Sequence, residues 1–113
     1  IPPPKDPEEP VAQYDVQLTG KAEKDRDGLR TWVEEINKDL FRLEADPYRG
    51  HSLGGSLSGS RALEMSFAGV AYRACYVVVP EERVCLIYLI GPHENIYKKA
   101  EIRYRALKRS GQI

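Results

Sequence analysis

The chain has 113 residues, of which 42% are hydrophobic and 30% are charged, and this size and composition suit one domain with one core. Acidic and basic residues balance at 17 each, and a net charge of zero argues against a uniformly basic protein that coats nucleic acid. No apolar run approaches the roughly 20 residues of a membrane-spanning helix, so we expect no membrane segment and no membrane partner. No start typical of a secretory signal is visible, and we expect none.

The first 13 residues differ in composition from the rest of the chain. Residues 1–13 contain five prolines and show no apolar periodicity. Proline lacks a backbone donor and favours extended conformations, so we predict a disordered or polyproline-like arm over residues 1–13. A single domain is predicted over residues 14–109, and residues 110–113 are predicted to form a tail.

The first half of the domain is predicted to form one strand and a helical hairpin. Alternating apolar and polar residues over Tyr14–Leu18 are typical of a half-buried strand. A short helix is predicted around Lys21–Asp27. A longer helix follows, opened by the capping-box spacing of Thr31 and Glu34 and closed at Asp46–Pro47. Its inner face is an apolar stripe at three- and four-residue spacing, made of Leu29, Trp32, Val33, Ile36, Leu40 and Leu43.

The second half is predicted to contain a flexible glycine-rich connection over Tyr48–Ser60, three strands and a last helix. The strands are predicted over Arg61–Phe67, Val70–Val79 and Arg83–Ile90, and the helix over Glu94–Arg109. The fold class is therefore α+β, with an antiparallel sheet of about four strands, an N-terminal helical hairpin and a C-terminal helix. Because both faces of the last two strands are apolar, we expect the middle of the sheet to be covered on both sides.

The two cysteines are predicted to be free thiols. The polar turn Pro80–Glu82 joins the last two strands and predicts a register that places Cys75 opposite Tyr88 and Cys85 opposite Val78. The two sulfur atoms are then not cross-strand neighbours, and we expect a reducing compartment. No histidine, cysteine or carboxylate cluster has metal-ligand spacing, so we predict no metal and no cofactor.

The last helix concentrates basic charge. Between Glu94 and Ile113 there are six basic residues and two acidic ones. Ile102 lies among the basic residues of one face, which indicates a protein partner that contacts Ile102 and Arg103. A solvated helix face is the alternative interpretation. The inner stripe of the same helix is predicted to be Ile96, Ala100, Tyr104 and Leu107.

Four segments resemble the RelE/ParE toxin superfamily and occur in that family's order. They are Leu43–Gly50, similar to the family's helix-ending Leu-x-x-Asn/Asp-Pro…Gly; Leu57–Arg61, similar to its Leu-x-Gly segment before a strand; Tyr72–Tyr76, similar to its Tyr-Arg-x-x-Tyr strand; and Gly91–Tyr97, similar to its Gly-x-His/Arg…Tyr ending. The resemblance covers roughly residues 14–107.

The resemblance implies a small cytoplasmic toxin of a two-gene toxin–antitoxin pair. RelE-like members cut messenger RNA, usually in the decoding site of the ribosome, whereas ParE-like members inhibit DNA gyrase. A cognate antitoxin protein neutralises either kind. We therefore expect an antitoxin as partner, together with the ribosome and messenger RNA, or alternatively DNA gyrase.

Metal-free cleavage of RNA needs a base for the ribose 2′-hydroxyl, a cation for the phosphate and an acid for the departing oxygen. The resemblance assigns the cation role to Arg73, and His93 is the natural proton carrier near neutral pH. Tyr97 matches the family's C-terminal tyrosine and could stack on a base or donate a proton, and Arg61 could supply a second cation. These four are the candidate catalytic residues. A structural ion pair is the alternative for Arg73, and packing against the sheet is the alternative for Tyr97.

Other polar side chains are candidates for contact with RNA. Glu64 is a possible base if burial raises its pKa. The candidate RNA-binding residues are Lys98, Lys99, Arg105, Arg49 and His51.

One feature departs from the RelE-like pattern. Some RelE-like nucleases carry two closely spaced lysines on the strand before the Tyr-Arg motif, but this chain has no lysine between Lys38 and Lys98. The departure leaves three hypotheses open: a nuclease that uses histidine, arginine and tyrosine, a ParE-like toxin without nuclease activity, and a non-toxic relative that binds a partner.

Overall fold

The computed structural model describes residues 13–113, so the predicted N-terminal arm lies outside the described residues except for Gln13. Two helices precede most of the sheet and one follows it. In chain order the elements are β1 (Asp15–Leu18), α1 (Gly20–Gly28), α2 (Val33–Ala45), β2 (His51–Ser52), β3 (Arg61–Phe67), β4 (Val70–Val79), β5 (Val84–Pro92) and α3 (Ile96–Ser110).

The strands form one sheet in the order β1-β5-β4-β3-β2, which confirms the predicted α+β class. Two details differ from the prediction. The sheet has five strands because the glycine-rich connection contains β2, which at two residues is too short to show periodicity. In addition, β1 pairs with β5 in parallel, because the α1–α2 hairpin carries the chain across the sheet before the antiparallel strands begin.

A β-bulge interrupts the pairing of β4 with β5. Near the turn the strands keep the predicted register, and Cys85 lies opposite Val78 as expected. The register then shifts by one residue between Cys75 and Tyr76, so Cys75 lies opposite Leu89 and the predicted pairing of Cys75 with Tyr88 is wrong. The extra residue places Tyr88 and Leu89 on the same face, where both are buried against α3.

Apolar packing covers the middle of the sheet on both sides, as predicted. The face toward α1 and α2 buries Ile36, Leu40 and Leu43 of α2 against β3, β4 and β5. The opposite face packs against α3, and each fully buried aliphatic side chain stabilises the fold by about 1.5–3 kcal/mol. The predicted inner stripe of α3 is buried in full and consists of Ile96, Ala100, Tyr104 and Leu107.

The start of α2 differs from the prediction. Residues Arg30–Trp32 form a 3₁₀ turn, and the residue that precedes α2 is Trp32, with no side-chain capping bond. The predicted capping box of Thr31 and Glu34 is therefore wrong. A side-chain cap is found instead at the start of α1, where the Thr19 hydroxyl accepts a hydrogen bond of 3.1 Å from the backbone N–H of Ala22.

Polar contacts attach α1 to the rest of the fold, because α1 buries only Ala22. Beyond the end of β1, the backbone N–H of Ile90 has no strand partner and donates instead to the Asp25 carboxylate at 3.1 Å. Arg103 of α3 donates to both oxygens of the same carboxylate and to the carbonyl oxygen of Tyr88. One ion pair thus links α1, β5 and α3.

A buried hydroxyl holds the turn that leads to β2. Tyr76 is fully buried, and its hydroxyl donates to the carbonyl oxygen of Pro47 at 2.8 Å and accepts from the backbone N–H of Gly50 at 2.9 Å. Gly50 has no room for a side chain, since a Cβ atom there would lie 2.5 Å from the carbonyl oxygen of Ala62. The turn over residues 47–50 is therefore fixed against the sheet.

Replacement of Tyr76 by phenylalanine tests this anchor. Tyr76→Phe removes both hydrogen bonds and leaves a buried N–H of Gly50 unpaired, which should lower the free energy of unfolding by about 1–3 kcal/mol in chemical denaturation. Tyr72→Phe is the control, because the Tyr72 hydroxyl has no hydrogen-bond partner among residues 13–113 and its ring stays against Phe67. Equal stability of the two variants would contradict the proposed anchor.

Thiol labelling tests the predicted free cysteines, which the structure confirms as unpaired and buried. Burial raises the pKa of the Cys75 thiol to about 12 and that of Cys85 to about 11, so at pH 8 both are protonated and unreactive in the folded protein. We expect slow alkylation of the folded protein at pH 8 and rapid modification of both thiols in urea. Mass spectrometry measures the extent of labelling over time. Fast labelling of the folded chain would show that the thiols are accessible.

Candidate functional site

The candidate site lies on the sheet face that also packs against α3. Three residues form a row across neighbouring strands, because Glu64 of β3 pairs with Arg73 of β4, and Arg73 pairs with Gly91 of β5. Gly91 has no side chain, so the Arg73 side chain has space beside it. The row ends near the N-terminus of α3, where a Cβ atom on Gly91 would lie 4.0 Å from Cδ1 of Ile96.

Arg73 is partly buried and partly paired. Its side chain is 15% exposed, and its Nε atom lies 2.7 Å from Oε2 of Glu64. The N–H direction does not meet hydrogen-bond geometry, so this contact is an ion pair rather than a directed hydrogen bond. The Tyr97 ring covers the guanidinium, with the ring centroid 5.1 Å from Cζ. Among the described residues, the terminal nitrogens have no hydrogen-bond partner and can donate hydrogen bonds to an anion.

Besides Arg73, Glu64 lies close to the imidazole of His51. Nδ1 of His51 lies 3.7 Å from Oε2 of Glu64, the same oxygen that contacts Arg73. Both side chains are about half exposed. His51 itself lies on β2, where it pairs with Ala62 of β3. His51 of β2 and Arg73 of β4 therefore both lie near the carboxylate of Glu64, on the strand between them.

His93 and Tyr97 approach the row from the other side. The backbone N–H of His93 donates to the carbonyl oxygen of Ala71 at 3.0 Å, which extends the pairing of β4 with β5. Asn95 then adopts a left-handed conformation with φ of 57°, and α3 begins at Ile96. The His93 and Tyr97 rings meet edge to face, with centroids 6.4 Å apart. Arg73, Tyr97 and His93 thus form one connected group.

Arg61 lies away from this group and contacts the backbone instead. Its Nε donates to the carbonyl oxygen of Gly50 and its Nη2 to that of Tyr48, each at 3.0 Å. Its guanidinium also lies 5.3 Å from the Tyr48 ring centroid. These bonds fasten the turn before β2, and the register places the Arg61 side chain on the same sheet face as Tyr76, opposite to the face that carries Glu64 and Arg73.

The remaining predicted residues lie on the surface or within the fold. Arg103 is only 18% exposed and is engaged with Asp25, so its guanidinium is held inside the protein rather than presented to a partner. Ile102 is 65% exposed on the outer face of α3. The other predicted RNA-binding residues are all exposed: Lys98, Lys99 and Arg105 on α3, and Arg49 beside His51 in a shallow hollow next to β3.

The pairing of Glu64 with Arg73 was not predicted, although the sequence contains its signal. The β3–β4 turn is centred on Ala68 and Gly69, and a two-residue turn there sets a register in which Glu64 lies opposite Arg73. The contact of His51 with Glu64 has no comparable signal, because it depends on the path of the glycine-rich connection.

Residues 13–113 contain neither a metal-binding cluster nor a membrane-spanning helix. No group of three or more histidine, cysteine or carboxylate side chains is arranged to hold a metal ion in this part of the chain. Among the same residues, no helix is long and apolar enough to cross a membrane.

Comparison with known proteins identifies the family. The family of ParE-like toxins of type II bacterial toxin–antitoxin systems matches residues 23–101, from α1 into α3. The match spans more than half of the chain, so the protein belongs to this family and is a type II toxin of the RelE/ParE kind. This confirms the resemblance seen in the four sequence segments. Comparison with curated protein sequences found no match.

Solved structures of bacterial toxins share the fold. A double mutant of E. coli RelE in the free state is 23% identical with a TM-score of 0.65, over 82% of this chain and 97% of that one. The toxin–antitoxin complex RelBE2 of Mycobacterium tuberculosis is 23% identical with a TM-score of 0.61, over 72% and 99%. The YoeB/ParE toxin of Agrobacterium tumefaciens is 17% identical with a TM-score of 0.57, over 70% and 98%.

Proposed function

We propose that this toxin is a ribosome-dependent endonuclease that cleaves messenger RNA without a metal, by attack of the ribose 2′-hydroxyl on the adjacent phosphate. The observation that carries the proposal is the position of Arg73. Its guanidinium is held by Glu64 and Tyr97, and its terminal nitrogens are unpaired among the described residues. An oriented guanidinium with unpaired donors is suited to bind the scissile phosphate and stabilise the charge that develops during cleavage.

The groups around Arg73 can supply the other requirements of the reaction. We assign to His93 the role of the acid that protonates the departing 5′ oxygen, since histidine is the side chain that most often transfers protons in enzyme reactions. Tyr97 contacts both Arg73 and His93, and its ring can stack on a nucleotide base. Arg61 fastens the turn before β2, and we therefore assign it a positioning role rather than a catalytic one.

Basic residues on both sides of the site can hold the RNA strand. The exposed residues Lys98, Lys99 and Arg105 provide positive charge on α3, and Arg49 provides it beside β2. Their contacts would be mostly to phosphates, so they would contribute affinity rather than sequence preference. The proposal therefore places the RNA backbone across the exposed end of the sheet.

Substitutions at Arg73 and His93 test the nuclease proposal. Arg73→Ala should reduce cleavage about 10²–10³-fold because an electrostatic contact to the phosphate is lost, and His93→Gln about 10²–10⁴-fold because the proton donor is lost. Primer extension on transcripts after brief induction measures the cuts. Arg42→Ala is the control, since Arg42 is exposed on the helix that packs on the other sheet face. Full cleavage by both site variants would disprove the assigned roles.

A second candidate function is inhibition of DNA gyrase without cleavage of RNA. The absence of lysine between Lys38 and Lys98 favours it, because RelE-like nucleases can carry paired strand lysines there. The matching family is also described as ParE-like. This candidate predicts a DNA-damage response and gyrase co-purification on induction, with intact transcripts. The same primer-extension experiment therefore separates the two functions.

We infer that the partner is a cognate antitoxin with an acidic, amphipathic segment that binds the outer face of α3. Solved relatives include RelBE toxin–antitoxin complexes. On this chain Ile102 is an exposed apolar residue among basic residues, and such a surface fits a segment with apolar and acidic side chains. The basic charge that attracts RNA would also attract this segment.

An acidic substitution at Ile102 tests the antitoxin surface. Ile102→Asp should weaken antitoxin binding at least about 10-fold in titration calorimetry, because it removes an apolar contact and adds a charge of the same sign as the partner's. Val70→Asp is the matched control, since Val70 is another exposed apolar residue, 47% exposed, on the sheet. Unchanged affinity of the Ile102 variant would place the antitoxin on another surface.

A further inference from the structure

One carboxylate oxygen joins two groups that the reaction could use. Oε2 of Glu64 lies 2.7 Å from the guanidinium Nε of Arg73 and 3.7 Å from Nδ1 of His51. The imidazole and the guanidinium therefore lie on either side of a single oxygen atom. In RNA, a 2′-hydroxyl and its neighbouring phosphate are similarly adjacent, so one nucleotide can contact both groups.

We propose that His51 is the general base of the cleavage reaction and that Glu64 positions it. The inference rests on the proposed nuclease function and adds a catalytic residue to it. The carboxylate on the Nδ1 side favours the tautomer that carries its proton on Nδ1, which leaves Nε2 free to accept a proton. The negative charge of Glu64 also stabilises the imidazolium that forms, as the carboxylate of a catalytic triad does.

His51 is better placed for this role than the other groups of the row. Arg73 cannot act as a base because a guanidinium stays protonated in proteins. The Glu64 carboxylate is already paired with the Arg73 guanidinium, so the His51 imidazole is the group of the row that is left to accept a proton. The contact between His51 and Glu64 is longer than a hydrogen bond, and such contacts commonly shorten when substrate binds.

The backbone that carries His51 is held in place. On β2, His51 pairs with Ala62 of β3, and the preceding turn is held by the Tyr76 hydroxyl and by the Arg61 guanidinium. His51 thus belongs to the sheet, although the sequence places it in a glycine-rich connection. A base must be held by rigid elements to act efficiently.

The proposed step balances in protons and bonds. Nε2 of neutral His51 takes the proton of the 2′-hydroxyl as the 2′ oxygen forms a bond to phosphorus. The bond from phosphorus to the 5′ oxygen breaks, and that oxygen takes a proton from the His93 imidazolium. The products are a 2′,3′-cyclic phosphate and a 5′-hydroxyl. Water then returns His51 and His93 to their starting protonation states.

A substrate with a sulfur leaving group separates the base from the acid. The assay is single-turnover cleavage of ribosome-bound messenger RNA at a site mapped by primer extension, with either oxygen or sulfur at the bridging 5′ position. A thiolate leaves without protonation, so the sulfur substrate needs a base but no acid. His51→Gln should be about 10²–10⁴-fold slower than the wild type on both substrates, whereas His93→Gln should be slow only on the oxygen substrate.

Two further variants control for the surroundings of His51. Ser52→Ala changes the exposed neighbour on β2 and should cleave at the wild-type rate. Glu64→Gln keeps the shape of the side chain but removes its charge. It should be slow on both substrates, like His51→Gln, because the reaction needs a correctly oriented base whether oxygen or sulfur is the leaving atom. Thermal unfolding of each variant checks that the fold is retained.

The outcomes distinguish the inference from the function on which it rests. If the wild-type protein cuts neither substrate, the nuclease proposal fails. If the wild type cuts and His51→Gln cuts equally fast, His51 is not the base although the protein is a nuclease. Recovery of His51→Gln on the sulfur substrate alone would make His51 an acid and would also overturn the assignment.

Discussion

The β-bulge at Tyr88 determines what surrounds Arg73. The register set by the Pro80–Glu82 turn would place Ile90 beside Arg73, but the extra residue moves Gly91 into that position. An isoleucine side chain on that face would fill the volume that Gly91 leaves open beside Arg73, where a Cβ atom would have only Cδ1 of Ile96 near it, at 4.0 Å. The same bulge directs both Tyr88 and Leu89 toward α3 and so strengthens the packing under the helix. One inserted residue thus creates both the space for the site and part of its support.

Polar contacts in otherwise apolar surroundings hold the elements that border the site. The Tyr76 hydroxyl and the Arg61 guanidinium satisfy backbone groups of the turn before β2. On the other side, Asp25 and Arg103 satisfy backbone groups of β5 where β1 has ended. Each contact pairs a group that would be costly to leave unpaired, so each resists local opening of the chain. The site is therefore bounded by segments of fixed conformation.

Sequence patterns predicted the elements that carry strong periodicity. The apolar stripes of α2 and α3 and the bounds of β3 and β4 follow from side-chain spacing and from the turn at Gly69. The parallel pairing of β1, the short strand β2 and the bulge were not predictable, because each depends on contacts between distant parts of the chain. For the site, resemblance to a family pointed to Arg73, His93 and Tyr97, while the contact of His51 with Glu64 needed coordinates.

The parallel pairing of β1 has a consequence for how the chain acquires its structure. Val16 lies beside Cys85, so the first strand has no partner until most of the chain has been made. Pairing across so long a segment is slow to form, and the free edge of β5 persists until it does. During synthesis, β1 therefore cannot pair until β5 has been made. The nascent chain passes through a stage in which neither the sheet nor the site is complete.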